Sequence, residues 1–165
     1  MNVPFLNLKI QYDSLKKEID EAINMNPDNS EYYQIKSMLL YDMAINNQKR
    51  NEKLILALNN INEAIRIEPK KSDYYYQRSI FHYNLNKIEQ SLSDINIALR
   101  YDSEISDYHY FASLIYFSLK KYSRALMKIN TAIKLDIKNS VYYHRKSLIL
   151  ERLNDYQESL KQIDK

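Results

Sequence analysis

The side chains that most often carry out catalysis are present but scattered along the chain. The three histidines, His82, His109 and His144, lie 27 and 35 residues apart, and none is part of an H-E-x-x-H pattern. No serine has a histidine and an acid beside it in a recognisable order for nucleophilic catalysis. Acidic pairs such as Asp13 and Glu18 are typical of solvated helix faces. These patterns predict structural or surface histidines, no metal, no cofactor and no catalytic activity.

Two residue types on which many catalytic motifs depend are missing altogether. The 165 residues include no glycine and no cysteine. Without glycine there is no P-loop, no G-x-G-x-x-G dinucleotide turn and no G-x-S-x-G nucleophile elbow. Without cysteine there is no thiol nucleophile, no disulfide and no cysteine-ligated zinc.

The overall composition is that of a soluble globular chain. Charged residues make up 27% and apolar residues 45% of the sequence, and the net charge is only +3. Basic residues are scattered among 21 acids, so no basic stripe for nucleic acid is predicted, and the Lys49-Arg50 and Lys70-Lys71 pairs favour solubility. No stretch approaches the roughly 20 apolar residues that span a bilayer, and Met1 to Gln11 make a poor secretory signal. We therefore expect a cytoplasmic protein that binds neither nucleic acid nor membranes.

A sequence pattern recurs at intervals of 34 residues. Segments that begin at Ser72, Ser106 and Ser140 are 34 residues apart, and a similar segment at Ser30 precedes Ser72 by 42, which implies an eight-residue insertion. Counted from each serine, the third residue is Tyr32, Tyr74, Tyr108 or Tyr142, and the eighth is Ser37, Ser79, Ser113 or Ser147. The second half repeats as well, with a small residue at Ala57, Ser91, Ala125 and Ser159 and isoleucine four places later.

This pattern resembles the tetratricopeptide repeat (TPR), a 34-residue helix–turn–helix unit. The resemblance covers about residues 12–165, although tyrosine or histidine replaces the usual tryptophan and serine replaces the usual glycine. It implies an all-α, right-handed superhelical array of antiparallel helix hairpins, a TPR-like α-solenoid, in one domain over residues 1–165. Pentatricopeptide units have a similar length and leave an RNA-binding relative as an alternative. The units are predicted at 12–29 (partial), 30–71 (with the insertion in the 46–51 turn), 72–105, 106–139 and 140–165 (truncated).

Local residue choices fit this arrangement. The serines that open each unit are predicted N-caps, and Asn86, Lys120 and Asn154 fall in turns between helices where a left-handed residue is usual. In the family's hairpin the small eighth residues face the small twentieth ones, so that two helices approach closely. The tyrosines at the third positions are predicted to pack between units.

The resemblance also implies a concave groove lined by the first helix of each unit. Its predicted edges are acidic in the early units, and its middle is apolar and aromatic, which suits a peptide or an amphipathic helix. The candidate binding residues are Tyr41, Tyr76, Gln77, Ile80, Tyr83, Tyr110, Phe111, Leu114, Phe117, His144, Arg145 and Leu148.

The function predicted from these features is a non-catalytic protein–protein interaction module acting as a scaffold, adaptor or co-chaperone. A secretion chaperone is one form of it. The sequence also fits two alternatives. Leu160 and Ile163 have no further helix to cover them, which fits either self-assembly into a homodimer or an array that continues in a longer protein. In the second case the chain is a regulatory segment of a larger enzyme.

The groove residues predict that the chain does not bind acidic chaperone tails. Family members that do so use a two-carboxylate clamp of lysine, asparagine and arginine side chains. The clamp can be aligned with the units that begin at Ser30 or with those that begin at Ser72. The first alignment places Gln34, Met38, Gln77, Asp107 and Phe111 at the clamp positions, and the second places Tyr76, Ile80, Phe111, Val141 and Arg145 there. Fluorescence anisotropy with such a tail should show no micromolar binding, and a micromolar affinity would contradict the prediction.

Overall fold

A computed structural model describes residues 3–45 and 49–163, with side chains over 11–45 and 49–154. These residues form helices and turns, with no strand among them, as the predicted all-α fold requires. None of the described helices is long and apolar enough to cross a membrane. The helices are α1 (Val3–Met25), α2 (Ser30–Ile45), α3 (Arg50–Ile67), α4 (Ser72–Asn84), α5 (Ile88–Tyr101), α6 (Ser106–Ser118), α7 (Tyr122–Leu135) and α8 (Ser140–Ile163).

The helices form two compact units, which are larger than the repeat units named above. The first compact unit ends at Lys87 and the second begins at Ile88. In the first unit, α2 packs on α1 and α3, and α3 also packs on α4. In the second, α6 packs on α5 and α7, and α7 also packs on α8. Each unit has its own buried apolar cluster, with Leu40, Ile61, Tyr74 and Phe81 in the first and Ile129, Tyr142 and Ile149 in the second.

The prediction that the repeated serines are N-caps is wrong. Ser30 and Ser140 are already the first helical residues of α2 and α8, and the caps are the asparagines before them. Asn29 Oδ1 accepts a hydrogen bond from the Glu31 amide at 3.0 Å, and Asn139 Oδ1 accepts one from the Val141 amide at 3.1 Å. The residues before α4 and α6 are Lys71 and Ile105, which make no side-chain cap.

Two of the repeated serines, Ser30 and Ser106, instead pair with a buried tyrosine of the following helix pair. Tyr74 is fully buried, and its hydroxyl lies 2.8 Å from Ser30 Oγ, which itself donates to Glu68. In the second unit the Tyr142 hydroxyl lies 3.1 Å from Ser106 Oγ and donates to Asp107 at 2.6 Å. Burying a tyrosine hydroxyl without a partner would be costly, so the serines make these packing positions tolerable.

The predicted interior tyrosines are therefore buried, with one exception. Tyr74, Tyr108 and Tyr142 are all buried, as the repeat pattern predicts, whereas Tyr32 is half-buried.

The predicted left-handed turn residues are confirmed at two of three places. Asn86 and Lys120 have φ values of 59° and 57° and end the turns after α4 and α6. The prediction that Asn154 lies in a turn is wrong, because α8 continues through it to Ile163. Ser147, predicted to meet a returning helix, is consequently exposed. The Asn46–Gln48 part of the predicted insertion, and the side chains of Ser159, Leu160 and Ile163, lie outside the described residues.

Small residues are fully buried where two pairs of helices pack together. Ser37 and Ala57 are buried where α2 meets α3, and Ser113 and Ala125 where α6 meets α7. The serine hydroxyls donate within their own helices, Ser37 to the Gln34 carbonyl at 2.7 Å and Ser113 to the Tyr110 carbonyl at 2.6 Å. Serine therefore works as a small packing residue that leaves no buried hydroxyl unpaired.

Enlarging a buried serine should separate the α6–α7 pair. We expect Ser113→Leu to lower the free energy of unfolding by about 1–3 kcal/mol, because the added side chain has no space in a packed crossing. The matched control is Ser147→Leu at the equivalent repeat position, where the serine is exposed. Urea denaturation followed by circular dichroism measures both variants. Equal stability of the two variants would contradict close packing at Ser113.

Candidate functional site: a cavity between helices α2 and α4

A cavity of about 410 Å³ opens between α2 and α4 in the first unit, and we call it the α2–α4 cavity. On each helix the lining residues are three or four positions apart, so they share one helix face. Its lining consists of Gln34, Met38, Tyr41, Asp42, Asp73, Tyr76, Gln77, Ile80 and Phe81.

The floor of the cavity is aromatic and continuous with the buried core. The rings of Tyr41 and Phe81 lie 5.3 Å apart, and Phe81 is buried in the apolar cluster of the first unit. Tyr41 and Ile80 pack against the same cluster. Asn84 Nδ2 donates to the Ile80 carbonyl at 2.9 Å and to the Tyr41 hydroxyl at 3.4 Å. The floor is therefore held in place before any ligand arrives, which lowers the entropy cost of binding.

A polar group closes one side of the cavity. Asp73 Oδ2 accepts hydrogen bonds from the side-chain amides of Gln34 and Gln77, the second at 2.7 Å. Gln77 is only 8% exposed, and its Oε1 is buried without a hydrogen-bond partner. An unpaired buried acceptor is uncommon in folded proteins and calls for a physical explanation.

Burial dominates the electrostatics of Asp73. Desolvation raises the pKa of its carboxyl above the ordinary value of 3.8, against the opposing hydrogen bonds from Gln77 and Gln34 and the nearby charge of Lys71. Lys71 itself is held by Glu31 at 3.3 Å and lies 4.9 Å from the centre of the Tyr74 ring.

Four of the twelve predicted binding residues line this cavity together: Tyr41, Tyr76, Gln77 and Ile80. Tyr83, although it belongs to the same unit and is half-buried, does not line it.

The predicted residues of the second unit take part mostly in packing. Tyr110 stacks on Tyr142 at 5.1 Å, and Phe117 meets the edge of Tyr122 at 5.4 Å. The Arg145 guanidinium lies 5.5 Å from the centre of the Phe117 ring. Of the others, Phe111 is buried, Leu114 and Leu148 are half-buried and His144 is exposed.

The candidate set missed several lining residues. Phe81 lies outside the groove positions that the repeat implies, and it reaches the cavity because its ring packs beside Tyr41. Gln34, Met38, Asp42 and Asp73 do occupy those positions, but the candidate binding residues did not include them. A search for polar residues that face each other across neighbouring repeats would have found Gln34 and Asp73.

His109 is the most buried of the three histidines. Its Nε2 lies 2.9 Å from the Ser103 carbonyl oxygen, and burial lowers the pKa of its ring. Nowhere in the described residues do three or more histidine or acidic side chains come together as metal ligands.

The fold is that of TPR proteins. TTC0263, a TPR protein of Thermus thermophilus, superposes with a TM-score of 0.75 at 16% identity, over 88% of this chain and 75% of its own. YrrB, described as a TPR protein with an unusual peptide-binding site, gives 0.70 at 18% identity, over 85% of this chain and 68% of its own. The first TPR domain of Spaghetti (RPAP3), bound to the HSP90 peptide SRMEEVD, gives 0.61 at 17% identity, over 73% of this chain and 95% of its own.

No protein-family model and no curated protein sequence matches the chain. The matches to solved structures confirm, at the level of the fold, the resemblance predicted from the 34-residue period.

The raised pKa of Asp73 predicts that its charge costs stability. At pH 7 the buried carboxylate disfavours the folded state, so we expect Asp73→Asn to be at least as stable as the wild type. As pH falls through the raised pKa towards 3.8, the folded wild type takes up its proton first and gains stability relative to the variant. Thermal unfolding at pH 7 and pH 4.5 measures this difference.

The matched control is Asp28→Asn, at an exposed aspartate in the turn before α2. If Asp73→Asn were clearly destabilising at pH 7, with a difference that does not change at pH 4.5, the cost assigned to burial would be wrong.

Proposed function

We propose that the chain is a non-catalytic protein-interaction module that binds a peptide or an amphipathic helix, with the α2–α4 cavity as the site for its anchoring side chains. The observation that carries this proposal is the cavity itself, a preformed aromatic recess with a half-exposed rim. Met38 is 48% exposed beside the buried ring of Phe81. Aromatic side chains supply much contact area for little loss of conformational entropy.

The structural relatives support the class of ligand. YrrB is described as having a peptide-binding site, and the RPAP3 domain is bound to a peptide. Both share this fold. The cavity differs from a two-carboxylate clamp because its lining carries Asp42 and Asp73 and no basic side chain. We further propose a scaffold or adaptor role in the cytoplasm, with a ligand other than an acidic chaperone tail.

The cavity is also the better place to test binding by mutation. Tyr110 and Phe117, predicted as groove residues, pack against the apolar cluster of the second unit, so their replacement would disturb folding. Met38 lies outside the first unit's cluster and is about half-exposed.

The test begins with selection of random displayed peptides on the immobilised full chain, and the affinity of selected peptides is then measured by fluorescence anisotropy. We expect Met38→Lys to weaken binding about tenfold or more, equivalent to ~1.4 kcal/mol, because it places a positive charge on the apolar rim. The control is Ile55→Lys on α3, at a side chain that is equally exposed and outside the cavity. Circular dichroism confirms that both variants fold.

Two results would contradict the proposal. Retention of full affinity by Met38→Lys would move binding to another surface. Failure to select any peptide on the folded chain would contradict peptide binding altogether.

A further inference from the structure

We propose that the α2–α4 cavity takes an arginine side chain of the bound peptide, with the guanidinium donating to Asp73 and Gln77. This inference rests on the proposed function and adds to it the chemical class of the anchoring residue. It follows from the charges, the unused acceptors and the aromatic floor of the cavity.

The charge of the lining favours a cation. Two of its nine residues, Asp42 and Asp73, are acids, and none of the nine is basic. Lys71 acts on Asp73 through space, but its ammonium group is paired with Glu31 at 3.3 Å and with Glu68 at 3.9 Å. A peptide cation would therefore enter a cavity whose two carboxylates, on Asp42 and Asp73, have no basic partner within the lining.

Two hydrogen-bond acceptors of the cavity are unused. The Gln77 and Gln34 amide nitrogens each donate one N–H to the same carboxylate oxygen of Asp73. Gln77 Oε1 is left buried and unpartnered, and the second oxygen of Asp73 can accept as well. A ligand group with several donors and no acceptor can bond to both.

Guanidinium meets that requirement better than other side chains. It carries five N–H donors in one rigid plane and no acceptor, so it can bond to a carboxylate and a neighbouring carbonyl oxygen together. The two acceptor groups are close, since Gln77 Nε2 lies 2.7 Å from Asp73 Oδ2. An ammonium group is a more strongly hydrated point charge and gains less from two fixed acceptors.

The rest of an arginine side chain suits the floor. Its aliphatic stem can lie along Met38 and Ile80, and its planar head can stack on an aromatic ring. Tyr41, Tyr76 and Phe81 supply such rings in the lining.

The test uses N-acetyl-arginine methylamide as the probe and N-acetyl-citrulline methylamide as its neutral isostere. Each is titrated into the ¹⁵N-labelled full chain, and amide shifts are followed by NMR. We expect the arginine probe to shift the amides of 34–42 and 73–81 and to bind at least about fivefold more tightly than the citrulline probe. In Asp73→Asn this preference should disappear, and in the control Asp28→Asn it should persist.

Failure of this inference can be told apart from failure of the proposed function. Equal binding of the two probes, or no cavity shifts with the arginine probe, overturns the inference. If selected peptides still bind at the rim around Met38 in that case, the proposed function stands without arginine. If no peptide binds the folded chain, both fail together.

Discussion

The arrangement of the first unit depends on one buried hydroxyl. Tyr74 is fully buried between helices, and its hydroxyl is satisfied by Ser30, the first residue of α2. That bond fixes α4 against α2 near their N-terminal ends. Asp73 precedes Tyr74 directly, so it is brought to Gln34, one turn along α2 from Ser30. The polar side of the cavity is thus a consequence of the way in which the fold satisfies a tyrosine.

The same pairing in the second unit has a different outcome. Tyr142 bonds to Ser106 and also donates to Asp107, whose repeat position matches that of Asp73. The carboxylate of Asp107 is therefore engaged with a core tyrosine, whereas that of Asp73 faces a cavity. Phe111 stands at the position of Gln77 and is an apolar buried residue. Equivalent repeat positions therefore contribute to packing in the second unit and line a cavity in the first.

The sequence predicts the fold well and the site only in part. The 34-residue period, the buried tyrosines and the small residues at the helix crossings follow from local patterns, because packing demands the same residue types in each unit. The continuation of α8 through Asn154 does not follow, since asparagine permits a left-handed turn without enforcing one. The contact of Asp73 with Gln34, 39 residues away in the sequence, depends on how α2 and α4 are rotated towards each other, which no local pattern encodes.

If the α2–α4 cavity contacts the ligand, as proposed, photocrosslinking from its rim detects that contact. A benzophenone amino acid is placed at position 38 on the cavity rim, or at position 55 on α3, in the otherwise unchanged chain of 165 residues. A display-selected peptide should crosslink efficiently from position 38 and at background level from position 55. Equal crosslinking from both positions, or crosslinking from position 55 alone, would contradict ligand binding in the α2–α4 cavity.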